Sequence, residues 1–378
     1  MTTAAGWVEI DTGAIAHNLD LVRTHLGEGV ALCAVLKADA YGHGVDLVAP
    51  VLVARRVERL GITGNVEARA VRDAGFTGRL LRLRPALADE ILDGAAYDIE
   101  EWLGGREHAE AVTDAASRLG RPVRVHVSLN STGLSRDGIP VDTGVGRATI
   151  ASLAGRTGLD IVGVAAHFPR EDAVDVERGA AVFGRESAVA IELLGNRRLD
   201  RHCATTYAAL SVPASRFDMV RIGAALYGDS PLLDGALRPA MRVLSRVAAL
   251  NDYAAGGTAG YDRAYTLQRD ARLAVIPVGY ADGYHRALGQ RAEVLIGGRR
   301  APVVDRLAMN TLLVDVSDLP RTRVGDEVVL YGTQGGDAIT SADIERVSGQ
   351  IAADLYTAWG RLLPRRAVEV TVRTASIG

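Results

Sequence analysis

From Trp7 to about residue 230 this 378-residue chain keeps one rhythm. A short apolar, β-branched run is followed by a segment of helical length, at ~25–40-residue spacing. Few folds accept that rhythm, because parallel strands need crossover helices to join them. Val30 to Val35 is almost wholly apolar after Gly29, which predicts a strand buried on both faces. Leu60–Thr63, Leu80–Leu83, Val123–Leu129, Ile161–His167 and Met219–Leu226 read as further strands. Between them lie helical stretches at Leu19–Leu26 (capped by Asp11 or Thr12), Val45–Val57, Val66–Ala74 (closed by Gly75), Ala148–Gly155 and Ala180–Leu194. Pro50 marks a kink or a true start in the second of these. Residues 1–235 hold enough units for an eight-stranded (β/α)8 barrel of the TIM type. In such barrels chemistry sits at the carboxyl ends of the strands, where Lys37, Arg136 and His167 fall.

After Pro231 the rhythm stops. Val243–Leu250, Leu273–Val278, Ala292–Ile296, Pro302–Val304, Leu312–Val316 and Glu327–Tyr331 are short strand-like runs separated by turns. Helices at Ser341–Val347 and Ile351–Leu362 interrupt them, and Val368–Val372 reads as a last strand. Residues 236–378 are therefore expected to form a β-rich domain. Trp7–Ile10 alternates like a short strand outside the barrel series and is free to pair with that domain.

Composition narrows the function classes. A net charge of −3 offers no basic face for nucleic acid. No apolar run approaches the ~20 residues of a membrane span. The first residues show no basic region followed by an apolar one, so a cytoplasmic protein is expected. Cys33 and Cys203 stand alone among apolar or small residues, as buried free thiols do. The eight histidines form no HExxH and pair with no cysteine, so no metal site is expected.

The chemistry concentrates in Ala34-Val35-Leu36-Lys37-Ala38-Asp39-Ala40-Tyr41-Gly42-His43-Gly44. One lysine emerges where a buried strand ends. Desolvation disfavours its ammonium and lowers its pKa, which suits covalent attachment to a carbonyl compound. Gly42 and Gly44 would let backbone approach a ligand closely. The full run resembles the pyridoxal-phosphate lysine motif of alanine racemases. The resemblance implies that Lys37 carries pyridoxal 5′-phosphate and that Tyr41 contacts its phosphate.

A second motif, Ala259-Gly260-Tyr261-Asp262-Arg263-Ala264-Tyr265-Thr266 and then Ile276-Pro277-Val278-Gly279-Tyr280-Ala281-Asp282-Gly283-Tyr284, resembles that family's carboxyl-terminal signature. It implies that Tyr261 is a second catalytic base, with Tyr280 beside it in the pocket. Racemisation removes a proton on one face and returns it on the other, so a lysine and a tyrosine on opposite faces meet the need. Free tyrosine has a pKa of ~10 and requires cationic neighbours to act near neutrality. The expected neighbours are His167, in Val164-Ala165-Ala166-His167-Phe168, and Arg221, in Met219-Val220-Arg221-Ile222-Gly223-Ala224-Ala225-Leu226-Tyr227-Gly228. Both segments resemble family motifs, in which the histidine packs on the cofactor ring and the arginine faces the ring nitrogen. A permanent cation there keeps that nitrogen unprotonated.

Other parts of the resemblance carry departures. Thr206, in His202-Cys203-Ala204-Thr205-Thr206-Tyr207, takes the place of the family's phosphate-binding serine, with Gly223 as the matching glycine. For the substrate carboxylate two segments compete, Leu129 to Arg136 and Val141 to Arg147. Arg136 is chosen because it follows its strand directly and stands ~30 residues before His167, as the family spacing requires. Asp142 and Thr143 are good helix caps, which accounts for the other segment. The lysine usual in this loop is missing, since Ser128 and Leu129 precede Asn130. In Leu307-Ala308-Met309-Asn310-Thr311, Met309 would offer its backbone N–H to substrate, and Asn310 replaces an acid. The tail tyrosine of the family is replaced by Ala353, with Arg361 as a substitute.

Taken together, the motifs imply a homodimer with shared active sites that acts on a small amino acid, L-alanine to D-alanine. Two other readings stay open. A paralogue would use the same lysine and tyrosine to racemise or decarboxylate another amino acid. A non-catalytic pyridoxal-phosphate carrier would share the barrel and lysine but lack a domain bearing Tyr261.

Overall fold

The computed structural model describes residues 4–195, 198–233 and 235–369. The backbone divides into two compact units. One comprises Ile15–Ala40 and Val48–Arg238; the other takes the amino-terminal segment up to Ala14, Tyr41–Leu47 and the chain from Pro239 onward. Numbered along the chain, β1 (Gly6–Asp11) belongs to the second unit.

The first unit is a barrel of eight parallel strands: β2 (Ala31–Val35), β3 (Arg59–Ile62), β4 (Arg79–Arg82), β5 (Ile99–Leu103), β6 (Val123–Ser128), β7 (Leu159–Ala165), β8 (Asp200–His202) and β9 (Met219–Ile222). From β2 to β8 each strand pairs with the next in sequence, and β9 pairs with β2. At the remaining seam Asp218 N donates to Arg201 O at 3.1 Å and Arg221 N to Ala204 O at 2.9 Å, so the sheet nearly closes. Crossover helices bury one stripe each. Arg106–Leu119 buries Ala109, Val112, Ala115 and Ala116, the spacing of one helical face. Cys33 and Cys203 are both buried and unpaired, and burial pushes each thiol up to about 12.

Several sequence expectations shift. Strands β5 and β8 were not legible, because Glu100, Glu101, Asp200, Arg201 and His202 interrupt the apolar pattern. Pro50 neither starts nor ends its helix but lies inside Val45–Ala54, where the full burial of Val48, Ala49 and Leu52 holds the helix together. The last barrel strand stops at Ile222 rather than Leu226. Ala224–Tyr227 turns away as a single 3-10 turn, closed by Gly228 at φ 77°. Tyr227 Oη donates to Val35 O at 2.8 Å and anchors that turn on β2.

The second unit is mostly β. Its larger sheet runs Arg299–Pro302, Glu293–Ile296, Glu327–Gln334, β10 (Met241–Arg246), β1 and Arg365–Val368, with Asp337–Ile339 alongside Glu327–Gln334. A three-stranded sheet joins Ala249–Tyr253, Ala271–Ile276 and Leu312–Asp315. The expected single strand Val243–Leu250 is two strands. The chain leaves one sheet as Val247 N bonds Asp326 O, and enters the other as Ala248 N bonds Val275 O. The final strand ends at Val368, and residues 370–372 of the expected one lie outside the described residues.

Candidate active site

Strand β2 delivers Lys37. Its end is held by Leu36 N donating to Gly61 O at 2.7 Å. Beyond the lysine, Ala38, Asp39, Ala40 and Tyr41 all adopt left-handed backbone, at φ 53° to 55°. Four such residues in a row cost roughly 1–2 kcal/mol each, because Cβ crowds the following carbonyl. Compensation comes from Ala40 N donating to Leu36 O and from the Glu67 carboxylate. That carboxylate accepts from Asp39 N at 3.1 Å and from Thr63 N at 2.7 Å, tying the turn to the loop after β3. The Lys37 amine is mostly buried. Its pKa is lowered first by that burial and then by the charges of Arg136 and Arg221, with Glu67 opposing.

Arg221 lies on β9 and is 4% exposed. Its Nη1 donates to His202 Nδ1 at 2.7 Å and His202 O at 3.1 Å. Its Nη2 reaches Ala166 O at 2.8 Å, Cys203 O at 3.3 Å and His167 Nδ1 at 3.3 Å. Among the described residues no carboxylate accepts from it, so a full positive charge stands at the mouth of the barrel. His167 follows β7 and is not the cation that was expected. Burial, and then Arg221, Arg136 and Lys37, lower its pKa to about 3, so the imidazole is neutral. Of the two residues expected to be cationic, only Arg221 carries a charge here.

Thr206 opens a short helix, Thr206–Ser211, and is buried. Its Oγ1 accepts from Gly223 N at 3.2 Å and lies 3.5 Å from Ala225 N. A hydroxyl and two backbone N–H groups thus converge beside β9, a donor set that suits an anion.

The loop after β6 presents Arg136. Asn130 organises it: Oδ1 accepts from Ser135 N at 2.7 Å and Nδ2 donates to Ser135 Oγ at 3.1 Å. That grip holds Ser135 at φ 52°, directly before Arg136. The Arg136 charge acts on Lys37, His167 and Arg221 alike. Arg147 lies instead on Gly144–Ala151, where its Nε donates to Val141 O at 2.9 Å, and Thr143 Oγ1 caps that helix through Gly146 N. The barrel therefore brings together Lys37, Arg136, His167, Thr206, Arg221 and Gly223.

The remaining predicted residues belong to the other unit. Tyr41 begins the segment that packs there, and Gly42 serves packing rather than ligand approach. A Cβ on Gly42 would stand 2.1 Å from Tyr356 O, and one on Gly360 would stand 1.8 Å from Gly42 O. Two backbones meet at that point, and only glycines fit. Tyr356, three residues beyond Ala353, is buried there, with its Oη 2.6 Å from Tyr331 Oη and its ring edge-on to His43. Arg361 lies exposed in the last turn of Ala352–Leu362. Tyr261 opens a turn beside the ribbon Thr258–Ala259/Tyr265–Thr266 and is 64% exposed. Tyr280 and Met309 are neighbours: Tyr280 N donates to Ala308 O at 3.2 Å and Ala281 N to Met309 O at 2.9 Å. Gly279 permits this, since a Cβ there would stand 2.5 Å from Met309 O.

Sequence reading missed Glu67, Asn130, Glu100, His126 and His202. The last three are polar residues on barrel strands, and that interruption of an apolar run was the available signal.

Comparison with known proteins extends over nearly the whole chain. Residues 10–231 match the family model described as "Alanine racemase, N-terminal domain", and residues 240–367 match "Alanine racemase, C-terminal domain". A broad specificity amino-acid racemase of Pseudomonas putida is 45% identical over 368 residues, covering 96% of this chain and 89% of the relative. A lysine racemase of Proteus mirabilis is 40% identical over 365 residues, covering 96% and 89%. Among solved structures, an alanine racemase of Clostridium difficile 630 superposes with a TM-score of 0.90 at 29% identity, covering 98% of this chain and 97% of that one.

Proposed function

This chain belongs to the alanine racemase family, and we propose that it is a pyridoxal 5′-phosphate-dependent racemase that accepts several amino acids rather than alanine alone. The observation that carries the proposal is the Lys37 amine. It is held at the end of a buried strand and made easier to deprotonate by burial and by two arginines. The wider substrate range rests on two supports. The relatives are named as broad-specificity and lysine racemases. The departures at Leu129, Asn130, Asn310 and Ala353 all avoid the two bases.

The donor set of the barrel mouth fits the cofactor. Lys37 would hold it covalently through Nζ. Thr206 Oγ1 and the Gly223 N–H would take its phosphate, together with Tyr41 Oη, and Arg221 would face its ring nitrogen. When bound, the cofactor withdraws electrons from the Cα–H bond of the amino acid. The protein's own groups do the rest. Arg136 pairs with the substrate carboxylate, and Met309 N–H and Tyr280 border the substrate. Lys37 moves the proton on one face of Cα and Tyr261 on the other. His167, being neutral, would border the ring without adding charge. Because Tyr261 is solvent-exposed on its own chain, a second copy supplies it, and the working unit is a cytoplasmic homodimer with shared sites.

The test is incubation with individual L-amino acids in D2O, reading Cα deuteration and chirality. Exchange on several side chains, alanine among them, is the expected result. Exchange on alanine alone restores the narrow reading. Release of carbon dioxide without a D-isomer makes the protein a decarboxylase.

A further inference from the structure

Beneath Arg221 the barrel interior is polar where such cores are usually filled by branched apolar residues. A single file of hydrogen bonds runs through it. Arg79 on β4 donates to both oxygens of Glu100 on β5, at 2.8 and 3.0 Å. Glu100 Oε2 lies 2.9 Å from His126 Nε2 on β6. His126 Nδ1 lies 2.9 Å from His202 Nε2 on β8, and His202 Nδ1 lies 2.7 Å from Arg221 Nη1. Glu100, His126, His202 and Arg221 are all buried. The two imidazoles belong to strands that are not neighbours, and β7 separates them. Gly163 on β7 makes the crossing feasible, because a Cβ there would stand 2.2 Å from His126 Nδ1.

Elementary donor counting fixes every proton in this file. Arginine only donates, so His202 Nδ1 accepts and its proton is on Nε2. His126 Nδ1 must then accept, and its proton is also on Nε2. That proton is donated to Glu100, which as a carboxylate only accepts. A cation at one end and a carboxylate at the other agree on one direction. The arrangement also answers an electrostatic problem. A carboxylate in direct contact would neutralise Arg221, whereas one placed three hydrogen bonds away anchors the guanidinium and leaves its charge facing the barrel mouth.

We propose that Glu100 is a positioning residue which, through the Nε2–H tautomers of His126 and His202, holds Arg221 in place for the cofactor ring. The cofactor-facing role of Arg221 rests on the function proposed above; the hydrogen-bond file does not. The experiment is therefore split. In cofactor-free protein, side-chain 15N NMR reads the two tautomers directly. Both histidines should be Nε2–H, and an Nδ1–H form in the wild type overturns the proposal without any variant.

Glu100→Gln then tests the direction. Arg79 retains the amide oxygen, so the amide N–H faces His126 and the file reverses. His202 Nδ1–H would then confront Arg221 Nη1–H, donor against donor. The variant should show Nδ1–H tautomers, an altered absorption band of the lysine-bound cofactor, and a kcat lower by roughly ten- to a hundredfold with KM little changed. Glu100→Asp, which keeps a carboxylate, should retain the wild-type tautomers and most of the rate. Unchanged tautomers in a folded Glu100→Gln protein overturn the proposal, and so do reversed tautomers with an unchanged band and kcat. If Glu100→Gln does not fold, His126→Ala interrupts the file instead. His202 should then lose its single tautomer, and persistence of pure Nε2–H argues against control by Glu100. A wild type that binds no cofactor would sink the proposed function while leaving the tautomer result standing.

Discussion

Lys37 and Tyr261 are assigned the same task, moving a proton at Cα, yet they sit in opposite surroundings. Lys37 ends a buried strand, in the field of Arg136 and Arg221. The groups around it are fixed in detail: Arg221 is 4% exposed and engages five acceptors within hydrogen-bond reach. Tyr261 is 64% exposed, Met309 55% and Tyr280 39%. Burial and neighbouring charge are what shift a pKa, so the lysine is tuned within its own chain. In the proposed function the tyrosine would acquire its environment from a second copy. This contrast is the physical argument for the proposed shared-site dimer.

The largest expected effect tests the tuned half. Lys37→Ala should abolish the visible cofactor band and lower activity by roughly 10³-fold or more. A band that survives in this variant would remove Lys37 from its role and leave the comparison with one side only.

Complementation tests the untuned half. Tyr261→Phe alone should lose roughly 10²- to 10⁴-fold. Mixed in equal amount with Lys37→Ala and allowed to exchange subunits, it should recover about a quarter of wild-type activity, because half the dimers then carry one intact site. No recovery despite demonstrated exchange would mean that each chain completes its own site.

A smaller effect sharpens the boundary of the tuned region. Arg136→Ala should reduce kcat/KM by roughly ten- to a hundredfold through the lost carboxylate contact. It should also raise the pKa of Lys37, since one of the two opposing cations is gone. Arg147→Ala should leave kcat/KM within about twofold, as its side chain serves the Val141 carbonyl. Steady-state kinetics on both variants decides between them, and a crippled Arg147→Ala would move the carboxylate site to the other segment.

The smallest effect is thermodynamic. His167 has a native pKa of about 3 against an ordinary 6.5, so between those values the unfolded chain binds the extra proton. Stability therefore falls as pH drops through that window. Glu100, held down to about 2 against an ordinary 4.5 because hydrogen bonds from His126 and Arg79 outweigh its burial, adds a loss in the same direction below about pH 4.5. Urea midpoints between about pH 7 and 5 should decline in wild type and less steeply in His167→Gln, whereas Tyr261→Phe should keep the wild-type slope. Equal slopes in all three would mean that the barrel mouth is more hydrated than its burial indicates.

How much was legible follows from the range of the forces involved. Local periodicity marked most strands and helices, because side-chain alternation and turn chemistry act over a few residues, and the family resemblance of the motifs singled out Lys37, Arg221 and Tyr261 as candidates. Strand β5 was not legible, since Glu100 and Glu101 hide its apolar character until the folded barrel pairs Glu100 with Arg79 on one face of the sheet and Glu101 with Arg82 on the other. The neutrality of His167 was also out of reach, because burial in the folded barrel, and then three cations from distant strands and loops, produce it. Gly42 was read as a ligand glycine, but its true neighbours are Tyr356 and Gly360, more than 300 residues along the chain. The amino-acid sequence by itself determined the elements and the chemical types available. Only the tertiary structure decided which polar groups share a desolvated interior, hence which protons are fixed and which charges are left facing the barrel mouth. Those quantities depend on through-space distance and dielectric, which sequence order does not encode.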